Sequence, residues 1–109
     1  MDERTFNLKT RSEFKQFVSV NNYVVVKLTA SWCGPCKKCT PYFNECFEQL
    51  PGKFKLVIVD IDDGNLGGMF RARSVPTFYN YINGYPQDIQ AGSGEPGIKQ
   101  FFIKTFNRT

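Results

Sequence analysis

Residues 23–36 read Tyr-Val-Val-Val-Lys-Leu-Thr-Ala-Ser-Trp-Cys-Gly-Pro-Cys, and this stretch decides the fold. Its first half, residues 23–29, is a run of apolar and β-branched residues without regular alternation, which is typical of a strand buried on both faces. A helix follows, because Cys36, Phe43 and Leu50 belong to an apolar stripe at helical spacing. The sequence therefore predicts a central strand that leads directly into a helix over residues 34–50.

The segments on either side continue this alternation of strands and helices. The predicted elements are a strand at 5–8, a helix at 13–20 capped by Ser12, a strand at 56–61, a short helix at 66–71, strands at 77–82 and 87–91, and a last helix that opens at 94–96. Strands that alternate with helices predict parallel pairing, whereas the turn at 83–86 predicts an antiparallel hairpin. We expect an α/β fold with a central mixed five-stranded sheet flanked by four helices.

The size and composition of the chain limit the classes of protein it can belong to. With 109 residues, 41% of them hydrophobic, it can build one core, so we expect a single domain over residues 1–109. No apolar run approaches the ~20 residues that cross a bilayer, and residues 1–5 lack the features of a signal peptide. Fourteen basic and ten acidic residues give a charge of +4, but the basic side chains are scattered. We expect a cytoplasmic protein that binds neither membrane nor nucleic acid.

The four cysteines are the residues that best indicate the chemistry of the protein. All four fall between positions 33 and 46, and the chain has no histidine. Such clustering cannot connect distant parts of a fold, which leaves a metal site or redox chemistry. On one helix Cys39 and Cys46 lie about 10 Å apart, too far for one tetrahedral metal site. Phe43 stands where the bacterial ferredoxin spacing requires a cysteine. Dithiol redox chemistry is favoured, and we expect no bound metal.

The position of each cysteine on the helix predicts its role. Cys33 falls at the helix N-terminus, where free N–H groups and the helix dipole favour a thiolate, so we expect an exposed nucleophile with a lowered pKa. Cys36, one turn further, is the resolving thiol and lies close enough to form a disulfide with Cys33. Cys39 and Cys46 lie on the apolar stripe, which favours a packing role. An alternative for Cys39 is an accessory, oxidation-sensitive thiol.

The motif Trp32-Cys33-Gly34-Pro35-Cys36 is identical to the active-site motif of the thioredoxins, and the resemblance covers nearly the whole chain. Further matching positions are Pro41, Val75-Pro76-Thr77, Gly84 and Gly92. The resemblance implies the thioredoxin fold, with a cis Pro76 that faces the cysteine pair. It also implies a groove for a substrate polypeptide, formed by Trp32, Gly34, Pro35, Val75, Pro76 and Gly92.

The same resemblance implies a function. It identifies the chain as a protein-disulfide reductase in which Cys33 attacks the partner's disulfide and Cys36 releases the product, with no bound cofactor. Gly-Pro between the cysteines is typical of the reducing members of the family. The oxidised form would be reduced again by a flavin- and NADPH-dependent thioredoxin reductase, and the protein would be a monomer. The alternative is a binding subunit or adaptor that holds a partner polypeptide in the groove, with incidental redox activity.

Lys27 departs from the family pattern. Thioredoxins usually place a buried Asp at this point of the central strand, beneath the resolving cysteine. One interpretation is structural: Lys27 snorkels to the surface or pairs with an acidic group, for which Asp60 on the neighbouring strand is the nearest candidate in the sequence. The other is chemical: a cation would favour the thiolate of Cys36, or a neutral amine would accept its proton. Lys27, Asp60 and Cys39 are therefore candidate modulating residues.

Overall fold

Strands and helices alternate along the chain in a computed structural model that describes residues 3–109. Met1 and Asp2, which belong to the predicted domain and to the segment without signal-peptide features, lie outside the described residues. The elements are β1 (Thr5–Asn7), α1 (Arg11–Val20), β2 (Tyr23–Thr29), α2 (Gly34–Glu48), β3 (Lys55–Asp60), a 3₁₀ helix (Gly67–Phe70), β4 (Thr77–Ile82), β5 (Tyr85–Ala91) and α3 (Glu95–Phe106).

The strands form one five-stranded sheet in the order β1-β3-β2-β4-β5. β3 pairs in parallel with β1 and β2, whereas β4 is antiparallel to β2 and β5. The predicted mixed sheet with a central second strand is thus confirmed. β5 begins at Tyr85, before the predicted residue 87, because Asn83 and Gly84 close a two-residue turn at φ values of 52° and 86°. Asn and Gly tolerate this left-handed conformation.

Helices cover both faces of the sheet. Phe43 and Phe47 of α2 and Phe101 of α3 pack on one face, against Val25 of β2 and other apolar side chains. On the opposite face, α1 and the 3₁₀ helix cover a second cluster that includes Phe14. Burial on both faces explains why the sequence of β2 shows no alternation.

Two predictions about the helices are wrong in detail. The cap of α1 is Thr10 and not Ser12, because the Thr10 hydroxyl accepts the N–H of Glu13 at 3.1 Å and the Glu13 carboxylate accepts the N–H of Thr10 at 3.0 Å. The expected fourth helix is a single 3₁₀ segment, so the described residues contain three α-helices. Its first two residues, Gly67 and Gly68, each disfavour an α-helix by up to about 1 kcal/mol relative to Ala.

The connection between β2 and α2 sets the position of the cysteines. β2, the central strand of the sheet, ends at Thr29. α2 begins at Gly34, which places Cys33 at the N-cap of the helix. α2 ends at Glu48, slightly before the predicted residue 50. β4 is antiparallel to β2, so the segment that precedes β4 lies at the same end of the sheet. This segment contains a cis peptide bond between Val75 and Pro76. The candidate site lies where these two connections meet.

Candidate active site

Cys33 and Cys36 are joined in a disulfide at the start of α2. Their Cα atoms are 5.3 Å apart, a separation that the first helical turn provides without distortion of the helix. Pro35 suits this position because it lies in the first turn, where a helix does not use the backbone N–H groups. The spacing of the motif and its position at the helix N-terminus therefore create the redox pair.

The helix N-terminus acts directly on the sulfur of Cys33. The backbone N–H of Cys36 donates a hydrogen bond to Cys33 Sγ over 3.1 Å. An N–H donor and the positive end of the helix dipole both favour the anionic form of the sulfur once the disulfide is reduced. The expected exposure of Cys33 is wrong for the disulfide form, in which only 3% of the residue is accessible. Its neighbours Gly34 and Pro35 are exposed and form the surface beside it.

The predicted groove residues lie around the cysteine pair. The carbonyl oxygen of Val75 is 3.7 Å from Cys33 Sγ. Pro76 follows Val75 in the cis peptide, and its carbonyl accepts the N–H of Gly92 at 2.9 Å. Trp32, directly before Cys33 in the chain, is 66% exposed. A cavity of about 260 Å³ is lined by both Trp32 and Val75. The structure thus brings residues from three connections to one surface.

Sequence reasoning missed two residues of this surface. Asp62 accepts a hydrogen bond from the indole Nε1 of Trp32 at 2.7 Å and so fixes the orientation of the ring. Arg73 lines the cavity beside Trp32 and contributes an exposed positive charge. The segment that contains Asp62 has the composition of a turn, and nothing in its local pattern indicates a contact with a side chain thirty positions away.

Lys27 is buried beneath the disulfide, with 5% of its surface accessible. Its Nζ donates to the hydroxyl of Thr40 at 2.8 Å and lies 4.9 Å from the centre of the Phe43 ring. Burial lowers the pKa of the Lys27 ammonium, and the nearby Cys39 thiol opposes this effect. The expected pairing with Asp60 is wrong, because Lys27 Nζ donates to Thr40 and neither of the ion pairs found among residues 3–109 joins it to Asp60. Lys27 lies across from Ile58, two residues before Asp60 on β3.

The other two cysteines are free thiols. Cys39 is buried beneath the pair, and its Sγ donates to the carbonyl of Cys36 at 3.4 Å. Burial raises the pKa of the Cys39 thiol, and the Lys27 charge partly offsets that rise. Cys46 is half-buried in a larger cavity of about 430 Å³ between α2 and α3. That cavity is lined by the later part of α2 and by α3 and contains no residue of the Trp32–Cys36 motif.

Residues 3–109 contain no group of three or more His, Cys, Asp or Glu side chains arranged to hold a metal ion. None of the helices in this part of the chain has the length and apolar character required to span a membrane.

A disulfide at the N-cap of a helix, beside a cis-proline connection in an α/β sheet, defines the class of thiol-disulfide oxidoreductases. Comparison with known proteins supports this class. The Thioredoxin family model matches residues 5–104. Thioredoxin 1 of Plasmodium falciparum is 33% identical over 96 residues, which are 87% of this chain and 91% of that protein. Thioredoxin of Rickettsia felis is 38% identical over 88 residues, or 79% and 84% of the two chains.

Solved structures give the same result. A structure of Plasmodium falciparum thioredoxin superimposes with a TM-score of 0.81 at 32% identity and covers 90% of this chain and 96% of that chain. Oxidised mitochondrial thioredoxin 3 of Saccharomyces cerevisiae has a TM-score of 0.83 at 22% identity, covering 92% and 94%, which supports the fold. The chain belongs to the thioredoxin family. With its Cys33–Cys36 disulfide it is a protein-disulfide reductase of the thioredoxin type.

Proposed function

We propose that Cys33 is the nucleophile and Cys36 the resolving thiol of the reductase reaction. The thiolate of Cys33 attacks one sulfur of the partner's disulfide, and the other partner sulfur leaves as a thiolate that takes up a proton. Cys36 then loses its proton and attacks Cys33 Sγ, which breaks the mixed disulfide and forms the Cys33–Cys36 bond. Two electrons pass to the partner, which leaves with two thiols.

The hydrogen bond from the N–H of Cys36 to Cys33 Sγ carries this assignment. It gives Cys33 a donor that stabilises a thiolate, and it belongs to a helix N-terminus that adds a favourable field. Both cysteines are almost completely buried in the disulfide form, so the order of attack rests on this donor and on the position of Cys33 at the N-cap, one turn before Cys36.

The partner polypeptide is proposed to bind across Trp32, Gly34, Pro35, Val75, Pro76 and Gly92. Trp32 offers a large exposed ring, and Gly34 and Pro35 are exposed beside the disulfide. Gly92 has a φ of 98°, a conformation that glycine adopts readily, and a Cβ there would meet open space. The groove can therefore accept an extended chain close to its backbone.

The experiment that tests the assignment is mixed-disulfide trapping. A Cys36→Ser variant should accumulate covalent complexes with disulfide-containing proteins, because the thiol that releases them is gone. A Cys33→Ser variant is the matched control and should trap far fewer. Equal trapping by both variants, or release by Cys36→Ser at the wild-type rate, would contradict the proposed roles.

We further propose that the oxidised protein is reduced again by a flavin- and NADPH-dependent reductase, since each cycle leaves the disulfide form. The chain then needs no bound cofactor and works as a monomer in a cytoplasm-like, reducing compartment. Turbidity of reduced insulin, measured with NADPH and such a reductase, tests this electron route. The adaptor alternative predicts no acceleration in the same assay, with either the reductase or dithiothreitol as donor.

A further inference from the structure

A polar chain connects the buried Lys27 to the backbone of Cys36. Lys27 Nζ donates to the Thr40 hydroxyl at 2.8 Å, and that hydroxyl donates to the carbonyl of Cys36, also at 2.8 Å. Because the Thr40 proton is committed to the carbonyl, its oxygen is the acceptor for Lys27. The terminal nitrogen of Lys27 is thus held in one place, one helical turn beneath the resolving cysteine.

Lys27 has no anionic partner in the disulfide form among residues 3–109. The described ion pairs join Lys9 to Asp63 and Arg108 to Asp88. The contacts of Lys27 are a neutral hydroxyl and the face of the Phe43 ring. A buried ammonium that is solvated only by these groups is costly, and it gains stability from any anion that forms nearby.

The elements packed around Lys27 contain few titratable groups. α2 contributes Cys36 and Cys39. β3 places Ile58 beside Lys27, and its nearest acid, Asp60, is engaged with the backbone of the next turn. β4 places Phe78 opposite, and its tyrosines lie on the other face of the sheet. Reduction of the disulfide therefore adds two acidic groups at the start of α2, the thiols of Cys33 and Cys36. Of these, Cys36 is the one whose carbonyl accepts the Thr40 hydroxyl that also holds Lys27.

We propose that Lys27 is a positioning residue whose ammonium stabilises the thiolate of Cys36 when the disulfide opens. This proposal rests on the proposed roles of Cys33 and Cys36. In the resolving step the Cys36 proton passes to water, and the resulting thiolate is stabilised by the Lys27 charge. The thiolate attacks Cys33 Sγ, and the partner's sulfur departs as a thiolate that takes up a proton. Mutual stabilisation of the two charges must act on both groups, because coupled titrations are reciprocal.

The first test uses the wild-type protein and needs no substitution. The Lys27 amine is titrated by NMR in the oxidised and the reduced state. We expect a higher pKa for Lys27 in the reduced state, by about one unit or more, since a thiolate at Cys36 favours the ammonium. An identical Lys27 titration in both states would overturn the proposal. This NMR titration does not depend on reductase activity. A negative result would therefore contradict the role of Lys27 without contradicting the proposed function.

The second test exchanges the charge. Lys27→Met should raise the apparent pKa of Cys36 by about one unit, which is about a tenfold loss of thiolate at neutral pH. Resolution of mixed disulfides should slow by a similar factor. Lys15→Met on the exposed surface of α1 makes the same change in net charge and should leave the Cys36 titration unchanged. An unchanged Cys36 titration in folded Lys27→Met, or an equal shift in both variants, would overturn the proposal.

A third variant separates the effect of Cys36 on the Lys27 titration from the effect of Cys39. Cys39 also interacts electrostatically with Lys27, so it could account for a coupled titration. In Cys39→Ala the difference in Lys27 pKa between the oxidised and reduced states should persist. Its disappearance would assign the coupling to Cys39 and overturn the role proposed for Cys36.

Discussion

The first turn of α2 and its later turns use the same residue type for opposite purposes. Cys33 and Cys36 form the redox disulfide, whereas Cys39 and Cys46 are free thiols on the same helix. Accessibility does not separate them, since Cys33 and Cys39 are about equally buried and Cys46 is more exposed than either. The difference lies in backbone electrostatics: the N-cap supplies an N–H donor to Cys33, and the later turns use their N–H groups within the helix.

The largest effect should come from loss of the sulfur at the N-cap. Cys33→Ser is expected to reduce disulfide-reductase activity by about 10³-fold or more, because a serine hydroxyl cannot replace a thiolate nucleophile. Cys46→Ser makes the same change later in α2 and should retain nearly full activity. Initial rates of insulin reduction measure both. Comparable losses in the two variants would remove the distinction between the two parts of the helix.

The later turns should dominate stability. Phe47→Ala removes a fully buried ring from the core between α2 and the sheet and should lower the free energy of unfolding by about 3–5 kcal/mol. Urea denaturation of the oxidised protein measures the change, with Glu48→Ala on the exposed side of the helix as the control. A loss below about 1 kcal/mol for Phe47→Ala would show that this part of α2 contributes little to the core.

Alkylation of the reduced protein should depend on pH in a different way for each cysteine. Burial raises the pKa values of the Cys39 and Cys46 thiols, so their reactive thiolates form only at higher pH than in an ordinary cysteine. At pH 7 Cys33 should react with iodoacetamide at least about tenfold faster than either. The difference in alkylation rate between Cys33 and the other two thiols should become smaller as the pH rises towards 10. Mass spectrometry of timed samples measures it, and faster labelling of the half-buried Cys46 at pH 7 would mean that access outweighs electrostatics.

The smallest effect is expected for Cys46→Ala. The side chain is half-buried at the rim of the cavity between α2 and α3, so its loss should change the free energy of unfolding by less than about 1 kcal/mol. The fully packed Cys39→Ala should cost more. Thermal unfolding of the two variants, compared with the wild type, gives the order, and the reverse order would contradict the packing described for the two thiols.

Structural features that depend on local sequence patterns can be predicted from the sequence. The sheet, the long helix and the position of the cysteine pair follow from apolar periodicity and from the spacing of one motif. The helix predicted at 66–71 is only a single 3₁₀ segment in the structure, because two adjacent glycines disfavour an α-helix there. Both Thr10 and Ser12 are residues that can cap a helix, and the structure uses Thr10. Both errors concern competing local signals.

Contacts between distant side chains could not be predicted in the same way. The sequence suggests Asp60 as a partner for Lys27, but in the structure Lys27 donates to Thr40 of the neighbouring helix. The bond between Trp32 and Asp62 depends on how two loops meet. Neither contact has a periodic signature, and both depend on side-chain packing that only the folded chain determines.

The central place of β2 has a consequence for hydrogen exchange. β2 is hydrogen-bonded on both sides, by β3 and β4, whereas β1 and β5 are edges of the sheet. The amides of β2 should therefore exchange with solvent only through global unfolding, whereas those at the edges also exchange through local opening. A molecule that frays at β1 or β5 still holds the strand that leads to Cys33. The cysteine pair should keep its geometry for as long as the domain stays folded.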